Sequence, residues 1–337
     1  MNIFVPVAIF VFSALVAIIA TGALIPILRS RTFLDHPNTR SSHQEPTPKG
    51  AGLALVFTVV IIWFLIANDP LGLLRNLTND FGITWVIGGA CLLALVSLID
   101  DLRGLNPLIR LVSHFLVVLG VLLYSPDLSS IFEQVAPKWI AMILVAFLWV
   151  WFINLFNFMD GIDGLAGIQT GAIGIGVFLI SLLVEIDEPI GLFSVSIAAV
   201  GLGFLFWNWA PAKVFLGDAG SIPLGFLLGW LLVSLASKGF WVQALIIPAY
   251  YLADSTLTLA LRGIRGKKLW EPHRSHFYQQ AIKRGLGHAR VCGVVAATNA
   301  ILILISILSL WFEITGIIGT IVAVFLLLFY LKGQKST

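Results

Sequence analysis

The sequence predicts an all-α, polytopic integral membrane protein, and three observations carry that prediction. Of 337 residues, 59% are hydrophobic and only 11% charged, with a mean hydropathy of +0.99; a soluble domain carries about a quarter charged residues. Apolar stretches of about 20 residues, long enough to cross the hydrocarbon core, recur along the whole chain. Lys and Arg gather in alternate loops, as the positive-inside rule requires of a multi-spanning protein.

The apolar pattern predicts eleven helices, at approximately 3–28, 50–67, 82–99, 107–124, 137–158, 164–184, 189–207, 221–236, 240–261, 291–311 and 315–331. The first reads as a spanning helix rather than a signal peptide, because no basic segment precedes it and Arg29 and Arg31 follow it. This count puts loops 29–49, 100–106, 159–163, 208–220 and 262–290 on one side with the tail, and gives that side 17 of the 20 Lys and Arg. The N-terminus is therefore expected outside and the C-terminus in the cytoplasm. The longest polar piece, Arg262 to Arg290, is a loop, so residues 1–337 form one transmembrane unit. Cys91 and Cys292 lie in apolar surroundings and read as packing residues rather than a disulfide. The formal charge of +3 means little by itself, and no nucleic-acid partner is expected.

The polar residues of the basic side carry the chemistry. Asn154, Asn157, Asp160 and Asp163 follow an apolar run at a strict spacing of three, which on a helical backbone places them on one face. Carboxylates at a membrane helix end are costly unless used. Asp100-Asp101 end another apolar helix, where their charge opposes the macrodipole; a solvated loop pair and a cation site are equally good readings of them alone. Gly217-Asp218-Ala219-Gly220-Ser221 reads plainly as a Gly-rich turn, yet its glycines allow close backbone approach and its amides suit phosphate. Asp218 is the only acid of that loop. His273, Arg274 and His276 are ordinary loop residues by base expectation; two histidines without a neighbouring cysteine are too few for zinc, and phosphate or sugar contacts fit better. Thr47 and Lys49 stand in a Pro-framed loop with Arg40-Ser41-Ser42-His43, and Lys49 could meet a phosphate. Together these parts suit phosphoryl transfer, which needs magnesium, carboxylates, amides and cations more than covalent chemistry.

At these residues the chain resembles the polyprenyl-phosphate N-acetylhexosamine-1-phosphate transferases of glycosyltransferase family 4. The resemblance rests on SSHQEPTPKGAG, LIDD, NLFNFMDGIDGLAG, FLGDAGS and the histidine loop, which run in family order from Arg40 to His276. It implies transfer of a sugar-1-phosphate from a UDP-N-acetylaminosugar to undecaprenyl phosphate, with release of UMP, at the cytoplasmic face of a bacterial inner membrane, which would put the N-terminus in the periplasm. It implies Mg2+, with Mn2+ as a substitute, held by Asp218. Asp100 and Asp101 would lie beside the lipid phosphate, with Asp100 activating it. Asn157, Asp160 and Asp163, supported by Asn154, would hold the nucleotide. His273, Arg274 and His276 would lie near the sugar and diphosphate, and Thr47 and Lys49 would line the same cleft.

Two departures from the family pattern shape the expected substrate. Gly104 stands where the aspartate motif often carries a charge, so that role is lost or passes to Arg103. The loop reads His273-Arg274-Ser275-His276 rather than three adjacent histidines, which resembles the branch that initiates O-antigen and lipopolysaccharide synthesis. An N-acetylated aminosugar is thus expected, of the deoxygenated class that includes N-acetylfucosamine and N-acetylquinovosamine. N-acetylglucosamine comes next, with a peptidoglycan-type phospho-MurNAc-pentapeptide substrate as an alternative. A secondary transporter is the alternative from another class, but it would place its acids near the midplane within repeated halves. The helix faces leave a homodimer open.

Overall fold

The computed structural model describes residues 3–29, 33–35, 45–69, 72, 81–186, 188–268 and 273–333. Thirteen helices of six or more residues are formed among them: α1 (Phe4–Leu28), α2 (Gly52–Asn68), α3 (Phe81–Arg103), α4 (Pro107–Tyr124), α5 (Lys138–Met159), α6 (Leu165–Leu183), α7 (Glu188–Asn208), α8 (Asp218–Leu235), α9 (Trp241–Ile246), α10 (Ala249–Ile264), α11 (Phe277–Lys283), α12 (His288–Leu308) and α13 (Glu313–Lys332). The all-α expectation holds. The two strands among the described residues, β1 (Leu34–Asp35) and β2 (Thr47–Pro48), form an antiparallel pair beside the bundle.

Nine helical stretches are long and apolar enough to cross a membrane among the described residues. Gly52–Asn68 is apolar but shorter. The predicted 240–261 helix is not continuous: Pro248 separates α9 from α10, because proline has no amide to donate and crowds the preceding turn. Gly239, at φ 95°, breaks the path between α8 and α9 in the left-handed region that glycine adopts without a Cβ penalty.

The helices pack as a membrane interior requires. Small residues let α6 and α7 approach closely: a Cβ on Gly174 would lie 2.6 Å from the Ser194 carbonyl oxygen. Tryptophans place their N–H groups on main-chain acceptors, the buried Trp149 on Phe226 at 2.9 Å and the half-buried Trp207 on Ile18 at 2.8 Å. Such pairing is obligatory where water cannot serve. α1 and α13 leave most of their apolar side chains, such as Phe4, Ile19, Ile321 and Phe325, on the outside. Lipid is the solvent that such faces need.

Candidate active site

The site begins with two segments distant in sequence that knit by main-chain hydrogen bonds. Phe215 N donates to Pro48 O at 2.8 Å, Gly50 N and Ala51 N donate to Phe215 O at 3.1 Å each, and Gly52 N donates to Leu216 O at 2.9 Å. Gly52 and Gly220 then sit against each other so closely that a Cβ on either would collide with the other's Cα. Glycine at both positions lets the start of α2 lie on the start of α8. This contact brings Lys49 to Asp101, within electrostatic reach of Asp218. Thr47 lies in β2, buried, with its hydroxyl donating to Glu45 O at 3.1 Å.

Asp100 and Asp101 close the last turn of α3. Gly104, at φ 67°, ends that helix, and Gly104 N donates to Asp100 O at 2.8 Å. The Asn106 side chain then caps α4 by accepting Leu108 N at 2.9 Å, with Pro107 in the first helical position. This tight turn carries Arg110 back over the acids. Asp100 Oδ1 accepts Leu105 N at 2.7 Å, and Asp100 Oδ2 accepts Arg110 at 2.6 Å. The same arginine nitrogen lies 3.3 Å from Asp218 Oδ2. Asp101 Oδ1 accepts Lys49 Nζ at 3.1 Å, while its Oδ2 lies 3.4 Å from Ala219 N at the head of α8.

Sequence reasoning missed Arg110 as a site residue and looked to Arg103 for the charge absent at Gly104. The structure leaves Arg103 exposed, and Arg110 supplies the cation. The available signal was its position: a guanidinium in the first turn of an otherwise apolar helix is costly unless paired.

Asp218 heads α8, three residues earlier than the predicted start at 221. Its Oδ1 accepts Asn157 Nδ2 at 3.0 Å, and the same amide lies 2.8 Å from Ser221 Oγ. Asn157 lies in the last turn of α5 and Asn154 one turn earlier, where Asn154 Nδ2 donates to Val150 O at 2.7 Å. The helix ends at Met159, so the single polar face holds for the two asparagines but not for the two aspartates. Gly161 and Gly164 are the reason: Gly164 takes φ 85°, and a Cβ on Gly161 would strike the Tyr278 hydroxyl.

Asp160 and Asp163 consequently have different surroundings. Burial, then the Asp218 and Asp163 carboxylates, push the Asp160 carboxyl up to about 7. Asp163 has both oxygens engaged, Oδ2 by Ala212 N at 3.0 Å and Oδ1 by His288 Nδ1 at 3.2 Å. Burial works to raise its pKa, but the His288 and Ala212 hydrogen bonds hold it below the ordinary carboxylate range. At Lys49 burial works downward, yet the Asp101 carboxylate, with Asp35 and Asp218 behind it, keeps the ammonium above its usual pKa.

The histidine loop flanks this group. His276 is buried, its Nδ1 3.2 Å from Asp254 Oδ1, and its ring stacks on His273 at 4.9 Å between centroids. Burial, then His276 and Arg262, lower the His273 pKa to about 4, so that its ring is neutral at physiological pH. The Arg274 carbonyl accepts Lys283 Nζ at 2.8 Å. Tyr278 Oη donates to Phe158 O at 3.1 Å and so ties the loop to the end of α5. Among the described residues no hydrogen bond joins His273 or His276 directly to the Asp100, Asp101 and Asp218 group. Residues Arg40–His43 lie outside the described residues.

Three carboxylates from two helices, two cations between them and a helix head meet at one end of a membrane-embedded bundle. That constellation defines a membrane enzyme built to handle a phosphate ester, since cations and helix N-termini are the groups that receive phosphate oxygens. Residues 83–236 match the family described as glycosyl transferase family 4. The chain is 30% identical over 311 residues to the decaprenyl-phosphate N-acetylglucosaminephosphotransferase of Mycobacterium leprae (strain TN), covering 83% of this chain and 77% of that protein. It is 27% identical over 295 residues to the "Probable undecaprenyl-phosphate N-acetylglucosaminyl 1-phosphate transferase" of Bacillus subtilis (strain 168), covering 83% and 78%. It is 33% identical over 226 residues to the phospho-N-acetylmuramoyl-pentapeptide-transferase of Streptococcus pneumoniae (strain CGSP14), covering 62% and 65%. The chain belongs to the polyprenyl-phosphate hexosamine-1-phosphate transferases of glycosyl transferase family 4.

Proposed function

We propose that this chain transfers an N-acetylaminosugar-1-phosphate from a UDP-sugar to undecaprenyl phosphate. An oxygen of the lipid phosphate forms a bond to the sugar-bearing phosphorus, the bond from that phosphorus to the UMP oxygen breaks, and UMP leaves with the electron pair. The observation that carries the reading is Arg110, which bridges Asp100 and Asp218 from separate motifs. It holds together an acid beside the acceptor and an acid beside the donor diphosphate. Asp100 orients the lipid phosphate, Lys49 and Arg110 balance charge on the reacting oxygens, and Asn157 holds Asp218 in place. Asp160 lies toward the nucleotide, with Asp163 fixing the loop between α5 and α6 through Ala212 and His288.

Asp218, Asp101 and Asn157 present oxygen donors of the hard type that Mg2+ prefers, and this donor chemistry fits a divalent cation, with Asp218 as its main ligand. When bound, magnesium neutralises diphosphate charge and the developing charge on the leaving UMP. Among the described residues no three His, Cys, Asp or Glu side chains surround one point, and Asp218, with Asp101 and Asn157 beside it, would hold the ion.

The His273-Arg274-Ser275-His276 loop supports a role in initiating a surface glycan such as O-antigen, at the cytoplasmic side of a bacterial inner membrane. The names of the Mycobacterium leprae and Bacillus subtilis relatives favour N-acetylglucosamine as a second reading of the sugar. Purified protein given undecaprenyl phosphate, Mg2+ and individual UDP-sugars tests the proposal by UMP release. Product from one N-acetylaminosugar and none without lipid phosphate is expected. Release of UMP that ignores the lipid acceptor contradicts it.

A further inference from the structure

Asp254 has no place in the chemistry above, yet it is the most completely engaged carboxylate among the described residues. It lies on α10, fully buried, and is the only acid in the apolar run from Trp241 to Leu261. A buried carboxylate in such a helix is retained only where donors surround it. Asp254 Oδ1 accepts Phe277 N at 3.0 Å, faces His276 Nδ1 at 3.2 Å and lies 3.4 Å from Thr258 Oγ1. Its Oδ2 accepts Tyr278 N at 3.2 Å and Tyr250 Oη at 3.2 Å.

These donors hold the turn that leads into α11. The first amides of a helix have no partner within it, and Asp254 takes two of them together with the ring of His276. That ring is only 2% exposed, and the rings of His273 and Tyr278 stack on it at 4.9 and 5.7 Å. His276 therefore has one nitrogen beside Asp254 and its ring packed against two others. His273, at the outer end of the stack, keeps a buried Nδ1 with no protein partner. Tyr278 extends the clamp through Phe158 to the end of α5, one residue from Asn157.

We propose that Asp254 is a positioning residue for the donor sugar-nucleotide, acting through His276. Asp254 and His276 clamp the loop, and His273 with Arg274 are the members that meet the sugar diphosphate. His276 contributes through Nδ1 alone and does not touch substrate. This inference rests on the transferase reading above.

Asparagine can place an amide where the histidine Nδ1 stood, whereas alanine cannot, so the two replacements separate clamping from contact. His276→Ala is expected to raise the UDP-sugar KM by about tenfold or more, the scale of one lost hydrogen bond to a charged group, and His276→Asn to raise it several-fold less. The KM for undecaprenyl phosphate should stay unchanged in both. Asp254→Asn is expected to speed hydrogen exchange in peptides covering Phe277 and Tyr278, a readout that needs no activity. Equal loss of kcat in His276→Asn and His276→Ala, with UDP-sugar KM unmoved, overturns the proposal by making His276 a substrate contact. Wild-type exchange in Asp254→Asn also overturns it. If Asp254→Asn fails to fold, the His276 pair still decides. Wild-type protein without UMP release counts against the transferase reading, and the exchange result stands apart from it.

Discussion

Arg110 is the residue on which the acid cluster depends. It lies 2.6 Å from Asp100 and 3.3 Å from Asp218, and without it two carboxylates from different helices would face each other uncompensated. Removing one partner of a partly buried ion group leaves the other charges unpaired, which costs more than the pair contributes. Arg110→Met is expected to lower kcat/KM by about a hundredfold or more, on the scale of losing a preorganised charge at a phosphoryl-transfer site. Arg110→Lys should recover part of that loss. Asp218→Asn should abolish UMP release in a protein that still purifies as a folded monodisperse species; retained turnover would remove Asp218 as the metal ligand. Asp160 gives a pH test. Its folded pKa of about 7 lies above the ordinary 3.8, so the fold holds a proton that the unfolded chain has already released. Its contribution to stability is present at acid pH and is lost as pH rises through the folded value. In protein free of Mg2+ and nucleotide, Asp160→Asn is expected to melt higher than wild type near pH 8, with the gap closing as pH falls toward about 4. A gap that widens in acid would contradict the assigned environment.

At the scale of elements, the site is made by helix ends rather than helix faces. α3 stops at Gly104, α4 restarts at Pro107, α5 stops at Met159 and α8 starts at Asp218, and each break places an acid or amide where backbone groups also point. Much of this was legible in the sequence. Apolar runs gave the helices, and Gly and Pro marked the turns, because those residues act locally through backbone conformation. The length of the α5 face was misread: spacing of three implies one face only while the helix continues, and it ends before Asp160. The contacts of Gly52 with Gly220 and of Gly161 with Tyr278 were illegible because they depend on segments about 170 and 120 residues apart. Gly161→Ala drives a methyl group into the Tyr278 hydroxyl. Overpacking of this kind costs about 1–3 kcal/mol. A lower melting temperature and a raised UDP-sugar KM are expected, since Tyr278 ties the histidine loop to α5. A neutral Gly161→Ala variant would contradict that link.

At the scale of the whole molecule, a bundle with lipid-facing apolar helices carries the Asp100, Asp101 and Asp218 group at one end. The chain-wide charge asymmetry, 17 of 20 Lys and Arg on the predicted inner side, is readable from residue order alone because it follows from the membrane rather than from packing. Arg110 stands in the sequence as a charge at the start of a largely apolar helix, but its acidic partners are not readable there, since one of its two bonds reaches a helix about a hundred residues away. The predicted orientation expects a fluorescent-protein fusion to the C-terminus to fluoresce in the cytoplasm; a dark fusion joined to a folded enzyme would reverse the topology. The central claim is that this cluster moves a sugar-1-phosphate onto a polyprenyl phosphate. It is tested most directly by incubating purified protein with a UDP-N-acetylaminosugar labelled on the sugar-bearing phosphorus and with undecaprenyl phosphate. The account predicts that the label enters a diphosphate-linked lipid in step with unlabelled UMP. Label that remains on a water-soluble product, with no labelled lipid for any sugar, would contradict it.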